Sequence, residues 1–209
     1  MEKDGELRTH IANTLINMEA VCHRETKSLV EHRMVGSKAL REGRMMSSTA
    51  LREFCEDDAR EINRLAVRAF QEYSSSYSDW PALVAAYARM SNLAKTGEIV
   101  VAETSGSIVG AVAYIPPHRA KARYFDEAWA VIRSLVVDPD SRGVGVGRAL
   151  TQECINRAKR DKSPVIALHT SAIMTVALPM YLRMGFEWHR DAPAVYGVPY
   201  AVYLKRLVP

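Results

Sequence analysis

The sequence predicts an α/β (α+β) domain with a mixed, mostly antiparallel central sheet flanked by helices. Three observations carry this reading. The elements run in the order βααβββαβαββ. A mostly apolar run from Trp129 to Val137 reads as a buried central strand. The glycine-dense turn Asp138-Pro-Asp-Ser-Arg-Gly-Val-Gly-Val-Gly-Arg148 then leads into an amphipathic helix.

Each element has a local cause. Thr49 to Cys55 alternates as a short strand, and Glu56-Asp57-Asp58 place carboxylates at the start of a helix running to about Glu72. Ile62, Leu65, Ala66, Ala69 and Phe70 give that helix one apolar face. The serine- and tyrosine-rich segment Tyr73 to Asp79 reads as a loop. Asp79 caps a second helix with Pro81 in its first turn, running to about Lys95 and ending at Gly97. Two β-branched runs, Glu98–Glu103 and Ile108–Ile115, flank a Ser-Gly turn as a hairpin that Pro116-Pro117 stops. Residues 118–128 form a polar loop. Gly145 to Asp161 is the helix after the glycine turn, and Val165 to Thr170 the strand after that. A short helix spans about Thr175 to Met184, with Gly185 as its C-cap. Phe186–His189 and Tyr200–Leu207 are the last strands, joined by a loop over 192–199.

Composition narrows the function classes. The chain has 209 residues, 48% hydrophobic and 25% charged, with net charge +4. That suits a soluble globular protein with affinity for anions. No apolar run approaches a membrane span, and the acidic start (Glu2, Asp4, Glu6) is unlike a secretory leader. Cys22, Cys55 and Cys154 are scattered and the six histidines dispersed, so neither a metal site nor a disulfide framework is expected. Reduced thiols suit a cytoplasmic protein. No basic-aromatic pattern marks a nucleic-acid groove. Residues 1–45 form an extension, in which Leu7, Ile11, Leu15, Met18 and Cys22 fit one amphipathic helix. Residues 46–209 form the domain.

The glycine turn is a phosphate-binding device, because glycines let backbone N–H groups approach an anion and a helix N-terminus adds partial positive charge. It is not a Walker loop, since no Lys-Ser or Lys-Thr follows. It is not a dinucleotide fingerprint either, since the third glycine position falls on Arg148. Arg142-x-x-Gly145-x-Gly147 does fit a pattern: it resembles the (Q/R)-x-x-G-x-(G/A) motif of the GNAT N-acetyltransferase superfamily. Leu135-Val136-Val137-Asp138-Pro139 resembles the end of that family's fourth strand. Ala177-Leu-Pro-Met-Tyr181-Leu-Arg-Met-Gly185-Phe186 resembles its A-x-x-x-Y-x-x-x-G-F helix and turn. The resemblance covers roughly Ser48 to Leu207.

The resemblance implies a sheet splayed between strands 4 and 5, and acetyl-coenzyme A as donor cosubstrate. Leu135 and Val137 would offer backbone groups to pantetheine. Arg142, Gly143, Val144, Gly145, Val146, Gly147 and Arg148 would take the pyrophosphate through their N–H groups. Tyr181 would be the general acid beside the sulfur, its ordinary pKa of about 10 keeping it protonated. Glu127, just before the fourth strand, is the first candidate for general base, with Glu98 and His169 behind it. One position departs from the family pattern: Met174 stands where many members carry an asparagine that contacts the coenzyme. The expected activity is direct acetyl transfer, in a ternary complex, to an amine of a small molecule or peptide. The segments Tyr73–Asp79, Pro116–Glu127 and Val195–Tyr200 would line the acceptor site with exposed aromatics. The alternative is an acyl-CoA-binding sensor without turnover. Homodimers are common in the family, and the N-terminal helix could contribute to one.

Overall fold

The computed structural model describes residues 49–207. The helix expected over Leu7–Cys22, and the 45/46 boundary, lie outside the described residues. The elements are β1 (Ala50–Glu53), α1 (Ala59–Phe70), α2 (Trp80–Tyr87), β2 (Glu98–Thr104), β3 (Ser107–Ile115), β4 (Ala130–Val137), α3 (Val146–Arg160), β5 (Val165–Thr170), α4 (Ala177–Arg183), β6 (Glu187–Val195) and β7 (Val198–Arg206). They build one seven-stranded sheet in the order β1-β2-β3-β4-β5-β7-β6. Every pairing is antiparallel except β4 with β5.

Both faces of the sheet are covered, which is why its central strands are mostly apolar. On one face α3 buries Leu150, Cys154, Ile155 and Ala158 against Val100, Val112, Tyr114, Ile132, Ile166 and Leu168. On the other, α1 buries Ile62, Leu65, Ala66 and Ala69 against Ile99, Val101, Ala111, Ala113 and Val136. Arg157 of α3 is buried and ion-paired with Glu53, Glu98 and Glu153, which ties the helix to β1 and β2. Among the described residues no helix is long and apolar enough to cross a membrane.

The parallel pair is incomplete. β4 meets β5 only at Ala130↔Ile166 and Val131↔Ala167. Beyond Val131 the strands diverge, so the expected splay between strands 4 and 5 is present. β4 is also irregular on its other side. Between Ala111↔Val136 and Ala113↔Arg133 it carries an extra residue relative to β3, and Ser134 sits at φ +50°. A bulge of this kind bends a strand and re-aims its side chains.

Four local expectations need correction. The helix over 56–72 is a 3₁₀ turn (Glu56–Asp58) followed by α1, and the expected loop after it continues as 3₁₀ turns over Gln71–Ser76. The second helix is capped as expected, with Asp79 Oδ1 accepting from the Ala82 N–H at 3.0 Å, but it stops at Tyr87 and resumes as 3₁₀ at Met90–Lys95. The loop over 118–128 is not simply polar, because Ala122 and Phe125 are buried beneath it. The loop over 192–199 is instead the tight end of a long β6–β7 hairpin that turns at Tyr196-Gly197, both at positive φ. Its prolines suggested a loop, but β6 is an edge strand with a register shift around Pro193, and Pro199 lies beyond the residues that pair with β5. Both are places where a strand tolerates proline.

Gly110 of β3 sets how closely α3 can approach. A Cβ there would lie 2.9 Å from Val146 Cγ1, 3.0 Å from Leu150 Cδ1 and 3.1 Å from the Val136 carbonyl. Gly110→Ala is therefore expected to lower unfolding free energy by about 1–3 kcal/mol, read by chemical denaturation. It should also displace the first turn of α3. An unchanged midpoint would show that the helix is not seated on this residue.

Candidate active site

The splay leaves the β5-facing backbone of β4 without a strand partner from Ile132 to Val137. Ser134 and Leu135, inside the bulge, also lack a Cα partner on β3. Unpaired backbone in a strand interior is a ready acceptor for an extended, amide-bearing ligand.

At the end of that strand the chain is pinned before it turns. The Asp138 carboxylate accepts from the Asp140 N–H at 3.0 Å and is ion-paired with Arg68 of α1. Arg142 points back at α1, where its guanidinium donates to the Ala69 carbonyl at 2.9 Å and pairs with Glu72. Arg142 is thus an anchor of the loop through its side chain. Its own N–H makes only a long 3.4 Å bond to the Pro139 carbonyl.

Gly143 and Gly145 follow at φ +80° and +96°, a region costly for any other residue but asparagine or aspartate. Among the described residues, no acceptor meets the N–H groups of Gly143, Val144 or Gly145. The next three, Val146, Gly147 and Arg148, are first-turn donors of α3, which a helix cannot satisfy internally. Six consecutive donors therefore meet at one helix N-terminus. A Cβ on Gly143 or Gly145 would meet nothing within 4 Å, so the cradle is open. At Gly147 a Cβ would touch Met180, Val137 and Leu135 at 3.5–3.9 Å, which places α4 and the end of β4 against the cradle. Arg148 is exposed and makes no ion pair among the described residues. A diphosphate fits this donor set in charge and number.

Tyr181 lies on α4, buried among Leu150, Cys154 and Phe186, with its ring edge-on to Phe186 at 5.7 Å. Burial pushes its pKa up, so it stays a phenol at any working pH. Among the described residues its hydroxyl makes no hydrogen bond, so as a phenol it keeps a proton to donate.

The three base candidates fare differently. Glu127 is exposed and lies in the turn before β4, on the far side of the Ala130–Val131 pairing from the cradle. Glu98 is bound to Arg157 at 2.5 Å and to Arg160 at 2.6 Å, and belongs to the framework. His169, on β5, does face the splay. Its Nδ1 is 2.6 Å from the Tyr124 hydroxyl, and its ring lies against Tyr124 and Tyr200. Burial, reinforced by the nearby Arg133 charge, lowers its pKa to about 3. It is therefore a neutral hydrogen-bonding group.

The aromatic residues expected as exposed loop side chains prove to be packed. Tyr77 and Phe125 are buried, and the Tyr77 and Tyr200 hydroxyls lie 2.6 Å apart. The Ser78 N–H donates to the Tyr196 carbonyl at 2.9 Å, and Arg190 donates to the Tyr124 carbonyl at 2.5 Å. The three expected acceptor segments thus form one wall. Met174 fills its apolar interior with Tyr77, Leu83, Val198 and Tyr200, which explains a methionine there. Sequence reasoning missed Arg133 and Tyr87 on this side. Neither carries a local signal, since both look like ordinary strand and helix residues.

Fold and cradle define a class: a split-sheet α/β domain that presents a helix N-terminus beside an unpaired strand edge. The sequence model described as "Acetyltransferase (GNAT) family" matches residues 54–186, and the chain belongs to that family. Mycothiol acetyltransferase of Kocuria rhizophila is 39% identical over 56 residues, which is 26% of this chain and 18% of that protein. N-acetyltransferase 8F1 of Mus musculus is 33% identical over 87 residues, 42% of this chain and 38% of that protein. The chain thus matches less than half the length of these curated relatives. The fold is shared with PaiA N-acetyltransferase of Thermoplasma acidophilum, crystallised in complex with coenzyme A. Its TM-score is 0.61 at 15% identity, over 77% of this chain and 99% of that one.

The low pKa of His169 has a consequence for stability. The folded protein resists protonation that the unfolded chain accepts near pH 6.5, so stability is complete above that pH and falls as pH drops towards 3. Asp58, held at about 2 by Arg52, adds its own loss only below about pH 4. His169→Gln should therefore flatten the decline in denaturation midpoint between about pH 6.5 and 4.5. An unchanged slope would show that His169 is not a buried neutral imidazole.

Proposed function

We propose that the protein transfers an acetyl group from acetyl-CoA directly to an amine of a small molecule or peptide, in a ternary complex. The observation that carries this reading is the row of six unpartnered N–H groups from Gly143 to Arg148, standing at the end of a strand whose outer edge is unpaired. Family membership and the coenzyme-bound neighbour of like fold support it.

In this reading the cradle holds the pyrophosphate, and the free edge of β4 around Leu135 and Val137 orients the pantetheine amides. Acetyl-CoA supplies the thioester. A backbone N–H beside the Ser134 bulge meets the carbonyl oxygen as it gains charge, an effect worth about 3 kcal/mol when aligned. The acceptor nitrogen must arrive uncharged. With Glu127 exposed in the turn before β4 and His169 too weakly basic, water in the splay takes its proton. When the C–S bond breaks, Tyr181 stabilises the departing thiolate by donating from its phenol. The proton released by the attacking nitrogen completes the balance.

Thermal denaturation with and without acetyl-CoA tests the cofactor site. At 100 times Kd the ligand should add about 2.7 kcal/mol of stability, and Gly145→Glu should abolish the shift. Release of free coenzyme A in the presence of amines then separates a transferase from a binding module. Tyr181→Phe should lower kcat by about tenfold or more while changing the KM for acetyl-CoA little. An unchanged kcat would remove Tyr181 from the chemistry.

A further inference from the structure

Beside the acceptor wall stands one arginine without an ion-pair partner among the described residues. Arg133 lies on β4 between the last residue paired with β5 and the Ser134 bulge. It is half-buried, on the face opposite α3, and its guanidinium makes no ion pair or hydrogen bond among the described residues. The other arginines that are comparably buried are all matched: Arg52 by Asp58 and Glu103, Arg142 by Glu72, Arg157 by three glutamates. Its charge reaches the Tyr87 and Tyr124 phenols and His169, all neutral. Among the described residues no carboxylate forms an ion pair with it.

A half-buried cation without a counter-ion is costly unless a ligand completes it. Its planar fork matches a carboxylate in two parallel hydrogen bonds. Its neighbours include the Tyr87 and Tyr124 rings, and Tyr200 lies beyond them against His169. We infer that the acceptor is an amine that also carries a carboxylate, held by Arg133 in the splay with its apolar part against this aromatic wall. The inference rests on the acetyltransferase reading and names the acceptor class within it. Arg133 is then a specificity-determining residue. Its positive charge also opposes a protonated amine beside it, which favours the neutral nucleophile that the reaction requires.

Matched acceptor pairs that differ only in the carboxylate test this: phenylalanine against phenethylamine, tyrosine against tyramine, and the dipeptide Gly-Phe against its C-terminal amide. The native protein should favour the carboxylate-bearing member at least about tenfold in kcat/KM. In Arg133→Gln the ratio within each pair should collapse to about one through KM. Arg133→Lys, which keeps the charge and loses the fork, should restore part of it. The dipeptide pair distinguishes a peptide carboxylate from that of a free amino acid. Equal rates within pairs, preference for the amines, or a parallel fall of both members in Arg133→Gln would overturn the inference. So would the absence of turnover of every carboxylate-bearing amine. The acetyl-CoA-dependent Tm shift, read on the same samples, shows whether the acetyltransferase reading falls with it or stands.

Discussion

Strand β4 is paired along one edge and almost unpaired along the other, and the rest of the molecule is arranged around that asymmetry. A buried strand cannot leave its backbone unsatisfied without a large cost, so an unpaired edge in the centre of a sheet is tolerated only where water or a ligand can reach it. Two residues of parallel pairing at Ala130 and Val131 keep the sheet continuous. The bulge at Ser134 then turns β4 away from β5, while on the β3 side pairing resumes one residue out of step at Val136 and Val137. The cleft is therefore built into the hydrogen-bond pattern, and does not depend on a mobile loop.

The two faces of the sheet divide the work. On the α3 side, Gly110 lets the helix settle close enough for its first turn to continue the line of β4, and Leu150, Cys154 and Tyr181 pack beneath it. On the α1 side, Arg68 and Arg142 work in opposite directions along the chain, one holding Asp138 before the turn and the other reaching back from its end. The glycines between those anchors can then expose their N–H groups without the whole segment being loose. Rigid anchors around a short permissive stretch are what a preorganised anion site requires, because donors that are already oriented need no reorganisation when charge arrives.

Much of the donor side was legible in the sequence, and much of the acceptor side was not. Arg142-x-x-Gly145-x-Gly147 after Leu135–Asp138 is local: strand, turn and helix N-terminus are consecutive in the chain, so one window contains the whole device. The side chain of Arg142 is an exception, since its partners Ala69 and Glu72 lie on a distant helix. The acceptor wall combines Tyr77, Tyr87, Tyr124, Arg133, His169 and Tyr200 from six separate segments. None of these carries a local pattern, and Glu127 was favoured only for its place in the chain. Within β6, Pro193 looks like a strand break in the sequence, although a sheet edge admits it. The bulge at Ser134 has no sequence signature, and it is the residue on which the direction of the cleft depends.

In the proposed function one ligand spans the cradle and the free edge of β4 together. Amide hydrogen exchange with and without acetyl-CoA addresses it residue by residue. Slowed exchange is expected at Gly143 to Arg148 and at Leu135 to Val137 on binding, with β1 and β2 unchanged. Binding that protects other segments, while these amides exchange at their unliganded rates, would contradict it.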